Sequence, residues 1–415
     1  MSMFVAGWVS FTVVTIASFI LSGELDSTVD AVFEAVSAST TTGFTTVENP
    51  QELSYALRFL RSAAPWAAGL GVLMVSMGVL PAAIAGAELL PERPLRGSAK
   101  IVTTSRVAFR NILGLYALLT VSLAIAFGFS GMDLFDAMTY ALSTASTGGM
   151  ANHADSIGYF NSEVVNWVAA AGMAAAGGNL LVVWWAIKGR FGSVWRSTEL
   201  RLYIGLLATG FLFVRFGGDA MNSSESAVAV TSMLSTTGLR SADWAAGNSF
   251  VHATLFVAAG VGAMSGSVGS GFRQARVARI ALEVRRSLQS LLTPTRTNIV
   301  RIDGVAVDER SLQLTYGYLW MHVFTLAGAS VLLYAPQLDV VATLSFALAL
   351  VSNVGVLVDG EKLVSHVELS GWTSAVGSFA MLLGRLSIYP VLLTIGGFVR
   401  WLNRLRPHGT IGAQA

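Results

Sequence analysis

Cysteine is absent from all 415 residues. That absence excludes disulfides, iron–sulfur clusters, thiolate zinc sites and cysteine nucleophiles together. Charge is scarce as well: Asp, Glu, Lys and Arg make up 12% of the chain, against roughly 25% in soluble domains. The net charge of +2 gives no nucleic-acid footprint. No Gly-x(4)-Gly-Lys-Ser/Thr motif occurs, so the chain does not hydrolyse ATP by that route and any nucleotide control comes from a partner. His153, His252, His322, His366 and His408 share no metal-ligand spacing. The stretch after Met1 lacks the basic start and small-residue cleavage site of a signal peptide, and reads as a mature spanning helix.

What is present is apolar: 53% of residues are hydrophobic. Apolar stretches near the 20-residue spanning length occupy 3–21, 112–129, 164–187, 249–264, 318–334 and 375–399. Any one of them fits a buried core helix. Together they define a multi-pass membrane protein.

A short pattern then recurs four times: a hydroxyl, Thr or Asn (Thr147 in the second copy), any residue, Gly, and an apolar residue. The copies are Thr40-Thr41-Thr42-Gly43-Phe44, Ser146-Thr147-Gly148-Gly149-Met150, Ser235-Thr236-Thr237-Gly238-Leu239 and Ser352-Asn353-Val354-Gly355-Val356. Each follows a spanning stretch and a shorter segment, and precedes a polar stretch and a second span. In the first three copies an acid stands thirteen residues before the glycine: Asp30, Asp136 and Glu225. An acid there suits a helix N-terminus. The fourth copy has Ala342 at that position, with Pro336 and Asp339 shortly before.

A helix that enters half the bilayer leaves the following backbone non-helical at membrane depth, which is tolerated only inside protein or along a watery cavity. Four such glycine-centred loops read as carbonyl rings that replace an ion's hydration shell. The alternative is four capping loops without a conducting role. The expected fold is an all-α membrane protein of four pseudo-symmetric helix–pore-loop–helix repeats around a central pore. The repeats fall at 1–88, 89–190, 191–292 and 293–415.

Basic residues crowd the connectors between repeats, which hold, with the C-terminus, twenty of the 26. The positive-inside rule makes those connectors cytoplasmic and turns the pore loops outward. Seventeen of the 24 acids lie on the pore-loop side. They either attract cations to a mouth or simply solvate loops.

Beyond these features, the chain resembles the Trk/Ktr/HKT superfamily of potassium transporters, most closely the bacterial Trk-type pore-forming membrane subunit. The likeness covers nearly the whole chain. It is carried by Thr40–Phe44, by Gly131–Ala137 leading into Ser146–Met150, by Ser352–Gly355, by Ala263–Gly271 and by Met381–Leu386. The resemblance implies potassium uptake across the cytoplasmic (inner) membrane, a homodimer, and a cytosolic nucleotide-binding (NAD- or ATP-type) regulatory subunit. It implies no cofactor held by this chain, with K+ as the transported ion, and surrounding lipid as the remaining partner.

The ion-binding residues carried over are Thr41, Thr42, Gly43, Thr147, Gly148, Gly149, Thr236, Thr237, Gly238, Asn353, Val354 and Gly355. In this family four filter glycines accompany potassium preference, whereas a serine in the first accompanies sodium. A sodium-permeable or weakly selective member is the nearest alternative. Two departures stand out: Trk-type subunits usually begin with an additional helix pair, and their fourth filter often reads Asn-Asn-Ile/Val-Gly-Pro.

A run of small residues at 260–271 interrupts the second helix of repeat three. Glycines at this density break helical pairing; the plain alternative is close helix packing. The resemblance makes the run an intramembrane gating loop, with Gly262, Ser265, Gly266, Ser267, Gly269, Ser270 and Gly271 as its members. Arg385 stands mid-way along the last apolar stretch, where a charge faces a cavity or partner or snorkels to the interface. The resemblance places it beside the pore. An intramembrane protease would need Ser265 with His252 or His322 and would leave four repeats unexplained, so the chain is read as a transporter and not an enzyme.

Overall fold

The computed structural model describes residues 2–76, 105–217, 221–241, 248–293, 301–303, 305–334, 340–359, 362–364, 370–386 and 396. The 88/89 boundary, Pro336, Asp339, most of 387–415 and the connector bases Arg93, Arg96 and Lys100 lie outside them.

Helices follow one another in a repeating order. In the first unit α1 (Ser2–Ser22) is followed by the short α2 (Thr28–Ser39) and by α3 (Tyr55–Ser76). In the second come α4 (Ser105–Phe129), the short α5 (Leu134–Ala145), then α6 (Glu163–Ala176) and α7 (Leu180–Ile187). After the one-and-a-half-turn α8 (Phe191–Arg196), the third unit has α9 (Thr198–Gly217), the short α10 (Ser223–Ser235), α11 (Ser249–Val261) and α12 (Gln274–Leu292). The fourth has α13 (Glu309–Leu333), the short α14 (Val340–Ser352) and α15 (Gly371–Leu386). Two antiparallel ribbons, Arg301–Ile302 with Val305–Ala306 and Leu357–Asp359 with Lys362–Val364, sit in connections between helices. Among the described residues α4 (over Phe109–Phe129), α9 and α13 are long and apolar enough to cross a membrane. Val13, Leu118, Ile125, Phe213, Phe324 and Val331 face outward, an apolar surface suited to acyl chains.

Local chemistry starts the short helices. Ser27, Asp133 and Asn222 cap them, each side chain accepting from the backbone N–H of Asp30, Asp136 or Glu225. The acids expected at helix starts therefore stand in the third helical position, and Asn222 with Glu225 completes a reciprocal capping box.

Packing closes the four units into a cycle. Each short helix lies against the first helix of its own unit: α1 on α2, α4 on α5, α9 on α10 and α13 on α14. The second helix of each unit then packs on the next unit's short helix: α3 on α5, α6 on α10, α11 on α14 and α15 on α2. The core consequently lies around the short helices, where Tyr140, Val228 and Phe346 are buried.

Two expected spans are interrupted. The stretch 164–187 breaks at Gly177–Asn179, where a side chain on Gly177 would meet Ser235 Cβ at 2.6 Å and Tyr203 Oη at 2.8 Å. The stretch 249–264 ends as helix at Val261, so Gly260 and Val261 remain helical and the irregular segment starts at Gly262.

Candidate functional site at the meeting of four loops

All four short helices end in the same way. The N–H of Thr42, Gly148, Thr237 and Val354 donates to the carbonyl five residues back, on Ser37, Ser143, Ser232 and Ala349, at 2.8–2.9 Å. The N–H of Thr41, Thr147, Thr236 and Asn353 donates to the carbonyl three back, on Ala38, Thr144, Met233 and Leu350. This is the Schellman pattern, which needs a left-handed residue at its turn. Here Thr or Asn supplies it, with φ of 53, 50, 60 and 54° at Thr41, Thr147, Thr236 and Asn353. Two residues on, Gly43, Gly149, Gly238 and Gly355 also have positive φ, whereas Thr42, Gly148, Thr237 and Val354 do not. The sign of φ thus alternates along each loop.

The four glycines meet. A side chain on Gly43 would strike Gly148 O, on Gly149 Thr237 O, on Gly238 Val354 O, and on Gly355 Thr42 O. The contacts thus run from each loop to the next and return to the first. Left-handed φ and the lack of room for Cβ both demand glycine at these positions. The C-terminal, negative ends of the four helix dipoles abut this ring and favour a cation there. All twelve residues named for ion binding therefore lie at this ring, and all twelve are buried.

On the side of the ring facing the polar loops lies a cavity of about 160 Å³ lined by Gly43, Gly149 and Gly238 together with Glu48, Arg61, His153 and Arg240. Behind it Glu34 and Arg61 form an enclosed ion pair, Nε to Oε1 at 2.7 Å. Glu34 also accepts from Thr45 Oγ1 and Thr46 N, and Arg61 donates to Thr45 Oγ1 and to Ala151 O. The pair thereby ties the backbone after Gly43 to the backbone after Gly149. In the second unit Asp136 accepts from Asn152 at 2.8 Å and contacts His153 Nε2 at 2.8 Å, with His153 stacked on Tyr159. Arg240 reaches from the third unit to Ala154 O in the second.

Several of the loop acids are therefore structural. Glu24, Asp30, Glu34, Asp136 and Glu225 cap helices or hold neighbours, and Glu48 is the acid that lines the cavity. Sequence reasoning missed Glu34 and Arg61; the signal was an acid and a base inside segments that otherwise bury their faces.

Against the opposite side of the ring lies the irregular segment 262–272. Its neck is the pairing of Ala263 N with Ser270 O at 3.2 Å, where Gly262 and Gly271 cross too closely for side chains. Ser265 N donates to Glu199 Oε1, Asn179 Nδ2 donates to Ser265 O, and Leu180 N to Gly266 O. Ser267 Oγ bonds within the segment, to Met264 O. A side chain on Gly269 would meet Ser235 O at 2.6 Å. Ser270 N donates to Thr236 Oγ1 and Ser270 Oγ to Asn353 Oδ1.

Arg385, 4% exposed, donates from Nη1 to Val268 O at 2.9 Å. Val268 itself reaches Gly69 of α3. The segment thus touches all four units, and Arg385 holds it instead of snorkelling. Among the described residues Ser265 Oγ has no hydrogen-bond partner, and neither His252 nor His322 bonds to it. Glu199 and Asn179 were not legible as partners, since 66 and 86 residues separate them from Ser265.

Comparison with known proteins gives a consistent result. The TrkH family model, described as a cation transport protein, matches residues 2–216 and 214–396. The Trk system potassium uptake protein TrkG of Escherichia coli K12 is 28% identical over 409 residues, covering 94% of this chain and 83% of that protein. TrkH of the same strain is 27% identical over 394 residues, covering 90% and 80%. The crystal structure of the potassium transporter TrkH from Vibrio parahaemolyticus superposes with a TM-score of 0.81 at 24% identity, covering 93% of this chain and 82% of that one.

Proposed function

The chain belongs to the TrkH family of cation transport proteins, a multi-pass membrane family without enzymes, and from that premise we propose that it takes up potassium through the ring of Gly43, Gly149, Gly238 and Gly355. The observation that carries this reading is the closed contact cycle of the four glycines, each too tightly faced by the next loop's carbonyl to bear a side chain. Peptide oxygens held at fixed spacing replace water around a dehydrated cation, and four dipole ends offset its charge. The relatives' names, potassium uptake proteins of a Trk system, support potassium as cargo. They also support a partner subunit, here read as a cytosolic nucleotide-binding regulator acting on a homodimer. Segment 262–272, pressed against the ring from all four units, acts as the gate, with Arg385 as its tether.

The test is rubidium uptake by potassium-starved cells or by liposomes holding the protein, with sodium as competitor. Uptake that potassium suppresses and sodium does not is the expected result; equal suppression by sodium would instead establish a weakly selective member. Gly43→Ser is expected to raise sodium competition, because its Cβ collides with Gly148 O and forces the ring apart.

A further inference from the structure

The second position of each loop carries a side-chain oxygen: Thr41 Oγ1, Thr147 Oγ1, Thr236 Oγ1 and Asn353 Oδ1, all on residues at most 1% exposed. These equivalent positions are treated unequally. Among the described residues Thr41 Oγ1 and Thr147 Oγ1 have no hydrogen-bond partner. Thr236 Oγ1 and Asn353 Oδ1 are both engaged by a single residue of the segment below, Ser270, through its N–H at 2.8 Å and its hydroxyl at 2.9 Å. The Asn353 amide continues the chain of bonds to Thr42 Oγ1 at 2.9 Å and Met381 O at 3.0 Å. Ser270 is 4% exposed, so water does not substitute readily for either bond. A buried hydroxyl without a protein partner needs an explanation, and at the negative ends of four helix dipoles a cation supplies one.

We propose that Ser270 fastens segment 262–272 to the inner rim of the ring, and that a permeating cation and Ser270 compete for the oxygens of Thr236 and Asn353. The inference rests on the reading of the ring as a potassium filter and adds a rule for its gate. With the segment docked, two of the four inner oxygens are taken and the inner cation site is incomplete. With the segment released, all four become available. Linkage is reciprocal, so a cation that gains by completing the site must favour release of the segment. The permeant ion is then itself an effector of the gate, beside any protein regulator. Thr236 and Asn353 belong to the binding machinery, and Ser270 is a positioning residue that acts through them.

The chain's lack of cysteine allows a direct test on the full chain in liposomes. Ser267→Cys places one thiol at a fully buried point of the segment, reactive to a soluble methanethiosulfonate only when the segment leaves the ring. Potassium in place of choline is expected to speed labelling about fivefold, the shift that one net buried hydrogen bond represents. Adding Ser270→Ala, which keeps the N–H and removes the hydroxyl, is expected to make labelling fast already in choline and to abolish most of the potassium effect. Ser270→Thr is expected to restore the parent's behaviour. Should Ser270→Ala not elute as the parent does, Ser270→Gly makes the same comparison. Labelling that ignores potassium, or that Ser270→Ala leaves unchanged, overturns the proposal. Rubidium uptake measured in the same vesicles separates the two readings. Uptake that is absent there, or that sodium suppresses as strongly as potassium does, counts against the filter, whereas normal uptake with unmoved labelling counts against the fastener alone.

Discussion

Glu34 and Arg61 are 0% and 1% exposed, so removing either leaves the other as an uncompensated charge in a low dielectric. Breaking such a pair costs about 3–5 kcal/mol, whereas replacing both members by apolar residues of similar volume is often neutral. Arg61→Met is therefore expected to lower the unfolding temperature in detergent sharply, and Glu34→Leu with Arg61→Met to recover most of the loss. Equal losses in the single and double variants would show that the two residues are not coupled. The double variant still deprives Thr46 N and Ala151 O of their partners, so it is expected to fold and yet to discriminate less well between rubidium and sodium. Gly149→Ala tests the ring itself. A left-handed φ of 68° costs an L-residue about 1–2 kcal/mol, and its Cβ has no room beside Thr237 O. Rubidium uptake should fall to background while the protein still reaches the membrane.

Among the helices, the first three short ones were legible from the sequence because their starting acids keep a fixed distance from the loop glycine, and the fourth because the loop pattern itself recurs after it. Their endings were not. A Schellman turn is ordinarily announced by glycine at the left-handed position, but here Thr41, Thr147, Thr236 and Asn353 occupy it and the glycine stands two residues later. The break at Gly177–Asn179 was hidden for a different reason: averaged over a spanning window, one asparagine and two glycines do not lower the hydropathy enough to show. That break nevertheless matters, since Asn179 and the start of α7 hold segment 262–272 from the second unit. Glu199, 3% exposed at the start of α9, holds it from the side through Ser265 N. Glu199→Ala would leave that half-buried N–H without this acceptor, at about 1 kcal/mol. Basal rubidium uptake should rise several-fold in Glu199→Ala and remain near the parent's in Glu199→Gln, which keeps the acceptor oxygen. Equal uptake by both variants and the parent would remove Glu199 from the proposed gate.

At the scale of the molecule, fourfold recurrence in sequence becomes a cycle in space because every second helix packs on the short helix of the following unit, α15 returning to α2. One consequence is sidedness. The loops carrying Glu48, His153 and Arg240 share the cavity at one end of the ring, while segment 262–272 presses on the other and leads into α12 with Arg279, Arg285 and Arg286. Basic segments stay on the cytoplasmic side, which turns the cavity outward and puts the proposed gate at the inner end. Asp155, exposed near the cavity, and Ser290, exposed on α12, report on the two ends, and no native thiol competes with a cysteine placed at either. A membrane-impermeant maleimide applied to intact cells should label Asp155→Cys and spare Ser290→Cys, with the order reversed in inverted vesicles. Labelling of Ser290→Cys from outside the cell would invert the molecule, and uptake would then have to start from the gated end.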